Sequence, residues 1–517
     1  MKILFFSYSG YPQHSDNFIP NPGPAILASV CRRLGHEAVV LDLNRPRLFL
    51  NCRDAEAVGD FLCDRLECEQ PDVLGVTTWV NAYRDVALIL SRVKQRFPKL
   101  MVIGGGYHAT WFEEYFLQNL AEITGQAKPV YDVLLLGEGE QPLTDFLEFF
   151  EGKRELSAVA GALYFENGRF LRGLSQTFLP LRDEAVPLPD WSSYENLREF
   201  WPIFPLDISR GCPFHCIMCA HESMSGRKLR SRKMRTVANG IKHDFETFGV
   251  RHFRVCSSMF PRTLIEEFVN ELEMRKDLPQ IYWTCFGRVS DFHDPTSPAF
   301  LTRMKNVGCL AIFFGIESAD EEILRRLGKN ITIEWAEKAV AYTKQSGIAA
   351  VASVMTGNPG ETPDQVEKTV NFLLRIAPDS APSIALTPLP RTPLAEEPAK
   401  YGYELHPQWK KGILHARLEN TRNPDEWSYA VDFYRQPCTG LSFLDYAKLC
   451  GDLSRRMTQA GIGRQPDEAY LMAHLLNRPS LELFLEQAQK LKSDDLEYFR
   501  KQILSAWERI DTWGEIL

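Results

Sequence analysis

Five nearly continuous apolar runs punctuate the start of the chain: 2–7 (KILFFS), 37–42 (EAVVLD), 72–78 (DVLGVTT), 100–106 (LMVIGGG) and 132–137 (DVLLLG). Runs of this kind, apolar throughout and not alternating, are the pattern of strands buried on both faces. Between them, residues 23–35, 54–68, 83–97 and 111–121 carry apolar positions at helical spacing, and 140–151 supplies a fifth helix. Strand and helix alternate, so the pattern predicts a doubly wound, Rossmann-like α/β domain over residues 1–152. Its ligand is expected beyond the carboxyl ends of the strands.

Residues 158–172 alternate around Glu166-Asn167-Gly168, a turn signal that predicts a hairpin. The hairpin and the proline-containing stretch that follows form a linker over 153–195. Strand patterns resume near 205–209, 252–256, 281–285, 310–315, 349–355 and 382–387, each followed by a helical pattern. Six strand–helix units predict a partial (β/α)6 barrel of the TIM type over 196–400. The remainder, 401–517, reads as a helical C-terminal extension, with residues 480–510 as its longest helical pattern.

Composition narrows the class. The chain has 517 residues, 44% hydrophobic and 24% charged, with a formal net charge of -8. That is a globular composition of about three domains. With no run of five basic residues and an acidic balance, neither nucleic acid nor a membrane surface is an expected partner. No signal peptide and no stretch of eighteen apolar residues is present, so a cytoplasmic location is expected.

Of twelve cysteines, three are concentrated in Ser209-Arg210-Gly211-Cys212-Pro213-Phe214-His215-Cys216-Ile217-Met218-Cys219. The number is informative. A structural zinc site or an all-protein four-iron cluster takes four ligands, and the next cysteine is Cys256. Three thiolates around a cluster leave one iron open to an external ligand. A Cys3His zinc site using His215 is the alternative, opposed by the difficulty of folding His215 back onto a metal already held by its neighbour Cys216.

C-x-x-x-C-x-x-C after the first strand of a partial barrel resembles the signature of radical S-adenosylmethionine (SAM) enzymes. The resemblance implies a 4Fe-4S cluster held by Cys212, Cys216 and Cys219, whose open iron chelates SAM, and an electron from the cluster that generates a 5'-deoxyadenosyl radical. It extends to Phe313-Phe314-Gly315-Ile316-Glu317-Ser318, implying Glu317 and Ser318 near SAM, and to Arg288 near the SAM carboxylate. Gly357-Asn358-Pro359-Gly360-Glu361-Thr362 resembles the family's fifth-strand turn, and Thr387-Pro388-Leu389-Pro390-Arg391 its sixth. Met218 takes the place of an aromatic residue beside the adenine, Ser257 stands where acidic residues often follow the second strand, and Arg391 replaces a common glycine. An electron donor such as flavodoxin or ferredoxin is implied.

The N-terminal domain resembles the cobalamin-binding domain of one subgroup of that family. The residues that carry this are the Pro22-Gly23-Pro24 helix start, Thr77 and Thr78, the run Gly104-Gly105-Gly106-Tyr107-His108, and Gly137-Glu138-Gly139. The D-x-H-x-x-G pattern that supplies histidine to cobalt elsewhere is missing, so cobalamin is expected without a protein histidine ligand. Trp79, Tyr83 and Cys285 read as packing. A bare sheet domain without cofactor is the plainer alternative. The combined resemblance implies a cobalamin-dependent methyltransferase acting on an unactivated carbon of a small-molecule or peptide natural-product precursor. A cyclase, oxidase or rearrangement enzyme on the same cofactors is the second expectation, and a non-catalytic binding regulator the third.

Overall fold

The computed structural model describes residues 1–8, 19–43, 55–79, 82–125, 129–195, 197, 202–415 and 432–475. The chain divides into two units. The first comprises Met1–Phe200, Ala220–Gly226 and Lys410–Ala430, and the second Trp201–Cys219, Arg227–Trp409 and Val431–Leu517.

In the first unit, β1 (Lys2–Tyr8), β2 (Glu37–Asp42), β3 (Val73–Thr78), β4 (Met101–Gly105) and β5 (Val133–Leu135) pair in parallel, and β6 (Ala162–Glu166) and β7 (Arg169–Arg172) add antiparallel. The order is β2-β1-β3-β4-β5-β6-β7. Helices Pro22–Arg33 and Glu140–Phe150 pack together, and Ala55–Glu69, Tyr83–Arg96 and Glu114–Thr124 form a second group. With helices covering it, β1 is buried along almost its whole length, as its apolar run requires. Asn167 and Gly168 both take positive φ, 50° and 79°, giving the expected tight hairpin. The helix expected over 111–121 is instead two, Tyr107–Phe112 and Glu114–Thr124, broken where Glu113 takes φ 50°.

In the second unit, β8 (Ile203–Leu206), β11 (His252–Val255), β12 (Tyr282–Gly287), β13 (Cys309–Glu317), β14 (Ala349–Thr356) and β15 (Ser383–Ala385) form a six-stranded, all-parallel sheet in the order β15-β14-β13-β12-β11-β8. This is the half-barrel that six strand–helix units predict. A two-stranded ribbon, β9 (Ser209–Arg210) with β10 (Arg230–Ser231), frames the cysteine loop.

The region after residue 401 departs from a purely helical reading. It contains an antiparallel sheet of β16 (Glu404–Leu405), β17 (Tyr434–Gln436) and β18 (Leu441–Ser442) before helices Phe443–Gln459 and Glu468–Leu475. Such two- and three-residue strands are too short to leave a period in the sequence. The helical pattern at 480–510 lies outside the described residues. Helix Glu468–Leu475 packs on β11, β12 and β13. There Arg254 Nη2 lies 3.0 Å from both Asp467 Oδ1 and Glu468 Oε2, and Thr284 Oγ1 donates to Asp467 Oδ2 at 2.6 Å. Two buried carboxylates are thereby compensated by one guanidinium and a hydroxyl. Beside them His252 Nε2 meets His474 Nδ1 at 3.1 Å, and burial pulls His252 down to about 3.

Candidate functional sites

Parallel strands bring the carboxyl ends of β8, β11, β12, β13 and β14 to one edge of the half-barrel, where the cysteine loop, Ser257, Arg288 and Gly357–Thr362 follow those ends and Glu317 is the last residue of β13. The loop is anchored on both sides. Asp207, directly after β8, accepts from Arg210 Nη2 at 2.9 Å and from the fully buried Arg232 at 3.1 Å. Burial works to raise the Asp207 pKa, but the two guanidinium groups outweigh it and hold the carboxyl below its ordinary value. Ser209 N–H donates to Ser257 Oγ at 3.1 Å, and Ser209 Oγ donates to the Met259 carbonyl. Ser257 thus steadies the strand leading into Cys212.

On the far side, Ile217 N–H donates to the Leu327 carbonyl at 3.1 Å, and Cys216 Sγ lies 3.9 Å from the Gly328 carbonyl. Gly328 takes φ 68°, and a Cβ there would sit 3.0 Å from the His215 carbonyl, so the loop and the end of helix Glu321–Leu327 approach only because this residue is glycine. Arg288 stacks over the Phe214 ring at 3.5 Å and donates from Nη2 to the Lys329 carbonyl at 2.9 Å. Cys212, Cys216 and Cys219 are half-buried, and none is in a disulfide. Burial pushes the Cys212 thiol up and Cys216 adds to this, while the Phe214 N–H, Arg288 and Lys329 pull it down. Among the described residues no three His, Cys, Asp or Glu side chains converge on one ion position. A four-iron cluster does not require that, because each thiolate takes a different iron. Three half-buried thiols with two cations beside them suit an anionic cluster.

Glu317 owes its place to a bulge. Gly315 pairs with Ser353 but Glu317 with Val354, so Ile316 is the extra residue, and Glu317 takes φ 71°. Its Oε1 receives Lys329 Nζ at 2.7 Å. A Cβ on Gly315 would fall 2.5 Å from that oxygen and 3.0 Å from Nζ. Lys329, which the sequence reading did not single out, therefore joins the site, with Phe214 and Gly328. Met218 is half-buried on the same loop. Ser318 is a correction. It is fully buried, and its Oγ accepts the Asp320 N–H at 3.3 Å and meets Thr369 Oγ1 at 3.4 Å, so it shapes the turn after Glu317.

The Gly357–Thr362 turn closes on Glu361, whose carboxylate accepts N–H groups of Gly357 (2.9 Å) and Asn358 (3.2 Å) and the Asn358 amide (3.1 Å). Burial pushes Glu361 up to about 7 against those donors. Tyr403 and Gln436 donate to the Gly357 carbonyl at 2.6 and 3.0 Å.

In the first unit, Thr77 is half-buried at the end of β3, facing Gly106; the Thr78 side chain lies outside the described residues. Gly105 and Gly106 lead from β4 into helix Tyr107–Phe112. His108 lies 6.5 Å from Trp79 and 5.3 Å from Trp111, and Tyr107 packs on Trp111 (5.4 Å) and His221 (6.1 Å). Trp79, expected as packing, is 36% exposed and Tyr107 41%. Trp111 Nε1 and His221 Nδ1 are buried without hydrogen-bond partners among the described residues. An open aromatic wall with unsatisfied ring nitrogens fits a large planar ligand with a polar rim. Three glycines are closely approached by neighbouring side chains. A Cβ on Gly104 would strike Tyr131 and Leu134 at 2.7 Å, one on Gly137 would overlap Gln176 Oε1, and one on Gly139 would crowd Leu27 at 3.1 Å. Glu138 is buried, with its carbonyl accepting from Gln176. At the three glycine positions only glycine leaves room for the neighbouring side chains, and Gly137 and Gly139 are half-buried. Tyr83 and Cys285 are buried, as packing residues should be.

Two family models match: the radical SAM superfamily over residues 206–373 and the B12 binding domain over 13–147. An uncharacterized methyltransferase of Pyrococcus horikoshii is 28% identical, covering 66% of this chain and 72% of its own. The anaerobic magnesium-protoporphyrin IX monomethyl ester cyclase of Rubrivivax gelatinosus is 25% identical, covering 77% and 70%. Among solved structures, the radical SAM methyltransferase TsrM from Kitasatospora setae superposes with a TM-score of 0.62 at 18% identity over 78% of each chain, a likeness of fold.

A half-barrel with a three-thiol loop and an α/β domain matching B12-binding modules define a radical SAM enzyme of the two-domain kind. The chain belongs to the cobalamin-dependent radical SAM family. Its cofactors are accordingly a 4Fe-4S cluster, SAM and cobalamin. No helix among the described residues is long and apolar enough to cross a membrane.

Proposed function

We propose that the protein is a methyltransferase acting on an unactivated carbon of a small-molecule or peptide precursor. The observation that carries this reading is the similarity of both its domains to family members that include the Pyrococcus methyltransferase. When bound, the cluster and SAM supply a hydrogen-abstracting 5'-deoxyadenosyl radical, and cobalamin carries the methyl group. The chain's residues do the holding and aiming. Cys212, Cys216 and Cys219 ligate the cluster, and Arg288, held flat against Phe214, offers positive charge to the SAM carboxylate. Glu317, turned by its bulge and fixed by Lys329, presents a carboxylate to the polar groups of SAM. Met218 offers a soft contact to the adenine. Thr77, Gly105, Gly106, Tyr107 and His108 would line the cobalamin site. Flavodoxin or ferredoxin is the electron donor, and the substrate is neither nucleic acid nor lipid surface.

A second reading, ring formation on the same cofactors without net methyl transfer, is favoured by the 25% identical cyclase. Anaerobic turnover with methyl-labelled SAM separates the two. Label in the substrate product, with S-adenosylhomocysteine, supports methyl transfer; an unlabelled product with 5'-deoxyadenosine alone supports the second reading.

A further inference from the structure

Trp111 Nε1 and His221 Nδ1, two of the three buried ring nitrogens without a partner among the described residues (the third, His252 Nδ1, lies in the second unit), are brought to one place by Tyr107, which packs on both rings. Trp111 projects from the helix that follows β4, and His221 begins the short helix His221–Ser225, which packs against it within the first unit. The exposed faces of Trp79 and Tyr107 belong to the same cluster, linked through His108 and Trp111. The indole nitrogen can only donate a hydrogen bond, whereas a neutral imidazole nitrogen donates or accepts according to its tautomer. Buried polar atoms are ordinarily paired, so two orphans beside one aromatic wall mark a missing ligand group.

One fixed donor and one adaptable nitrogen match a primary carboxamide, whose carbonyl accepts and whose amino group donates. The corrin ring of cobalamin carries primary carboxamides around its rim. We infer that Trp111 Nε1 and His221 Nδ1 hydrogen-bond corrin side-chain carboxamides, which makes His221, two residues beyond Cys219, part of the cobalamin site. The inference rests on cobalamin occupying the first unit.

The test is binding of hydroxocobalamin and of cobinamide, which keeps the corrin amides but lacks the nucleotide, to the full-length protein by anaerobic equilibrium dialysis. The variants are Trp111→Phe, His221→Gln and His221→Asn. Asn places an amide nitrogen where Nδ1 lies, whereas Gln places it at Nε2, and the two are otherwise alike. Losing one such bond weakens binding about three- to tenfold. Trp111→Phe and His221→Gln are expected to lose that factor for both corrinoids, with His221→Asn close to wild type and iron content unchanged in all three. Wild-type affinity in the Phe and Gln variants, equal loss in the Asn and Gln variants, or a loss confined to hydroxocobalamin would overturn the inference. A wild-type protein that binds neither corrinoid refutes instead the placement of cobalamin in this unit.

Discussion

Lys329 Nζ sits 2.7 Å from Glu317 Oε1, with both side chains only 12% exposed. The pair fixes a carboxylate that the β13 bulge has already turned out of the regular strand direction. Removing the lysine leaves Glu317 charged and unpaired in a mostly buried place, at a cost of about 3 kcal/mol.

Lys329→Met is therefore expected to lower the melting temperature and to weaken SAM binding at least tenfold, while iron content stays at the wild-type level because no ligand is lost. Equilibrium dialysis with SAM and iron analysis on the same preparation check this. Unchanged SAM affinity would remove Glu317 from the SAM site.

Phe214 lies between Cys212 and Cys216 and carries Arg288 on its face at 3.5 Å. A stacked cation of this kind contributes about 0.5–2 kcal/mol. Phe214→Ala frees the loop, so the reconstituted cluster should bleach in anaerobic chelator about threefold faster or more. Visible absorbance against time reads this, and Phe214→Tyr should behave as wild type.

Much of this was legible in the sequence. Both sheets follow from apolar runs because strands covered on both faces admit few polar residues. The Asn167-Gly168 turn announces itself because positive φ restricts residue choice. What sequence could not supply are the cross-links made by tertiary packing. Lys329 meets Glu317 from twelve residues away, and nothing in a helix-ending Gly-Lys-Asn marks that contact. Ser318 carried the family pattern yet spends its hydroxyl on Asp320 and Thr369, and Gly104 is glycine for the sake of Tyr131. In both, a motif marks a segment but does not separate a ligand contact from local packing.

Glu361 gives a pH signature. Its folded-state pKa is raised by burial from 4.5 to about 7, so between those values the folded protein holds the extra proton. Its contribution is complete below pH 4.5 and is lost as pH rises to 7, a change of roughly 3 kcal/mol. His252 runs oppositely: lowered from 6.5 to about 3, it contributes fully above 6.5 and loses that as pH falls. The two offset each other in the wild-type curve. The difference between Glu361→Gln and wild type isolates the first, and the variant should gain relative stability from pH 5 to pH 8 in anaerobic melts. A difference independent of pH would contradict the raised pKa.

The most direct test of the account is anaerobic reconstitution with iron, sulfide and hydroxocobalamin, followed by reductant and SAM, comparing wild type with Cys216→Ala by mass spectrometry. The account predicts 5'-deoxyadenosine and S-adenosylhomocysteine from the wild type and neither from the variant. Equal product from both proteins, or none from a wild type carrying cluster and cobalamin in the presence of its substrate, would contradict it.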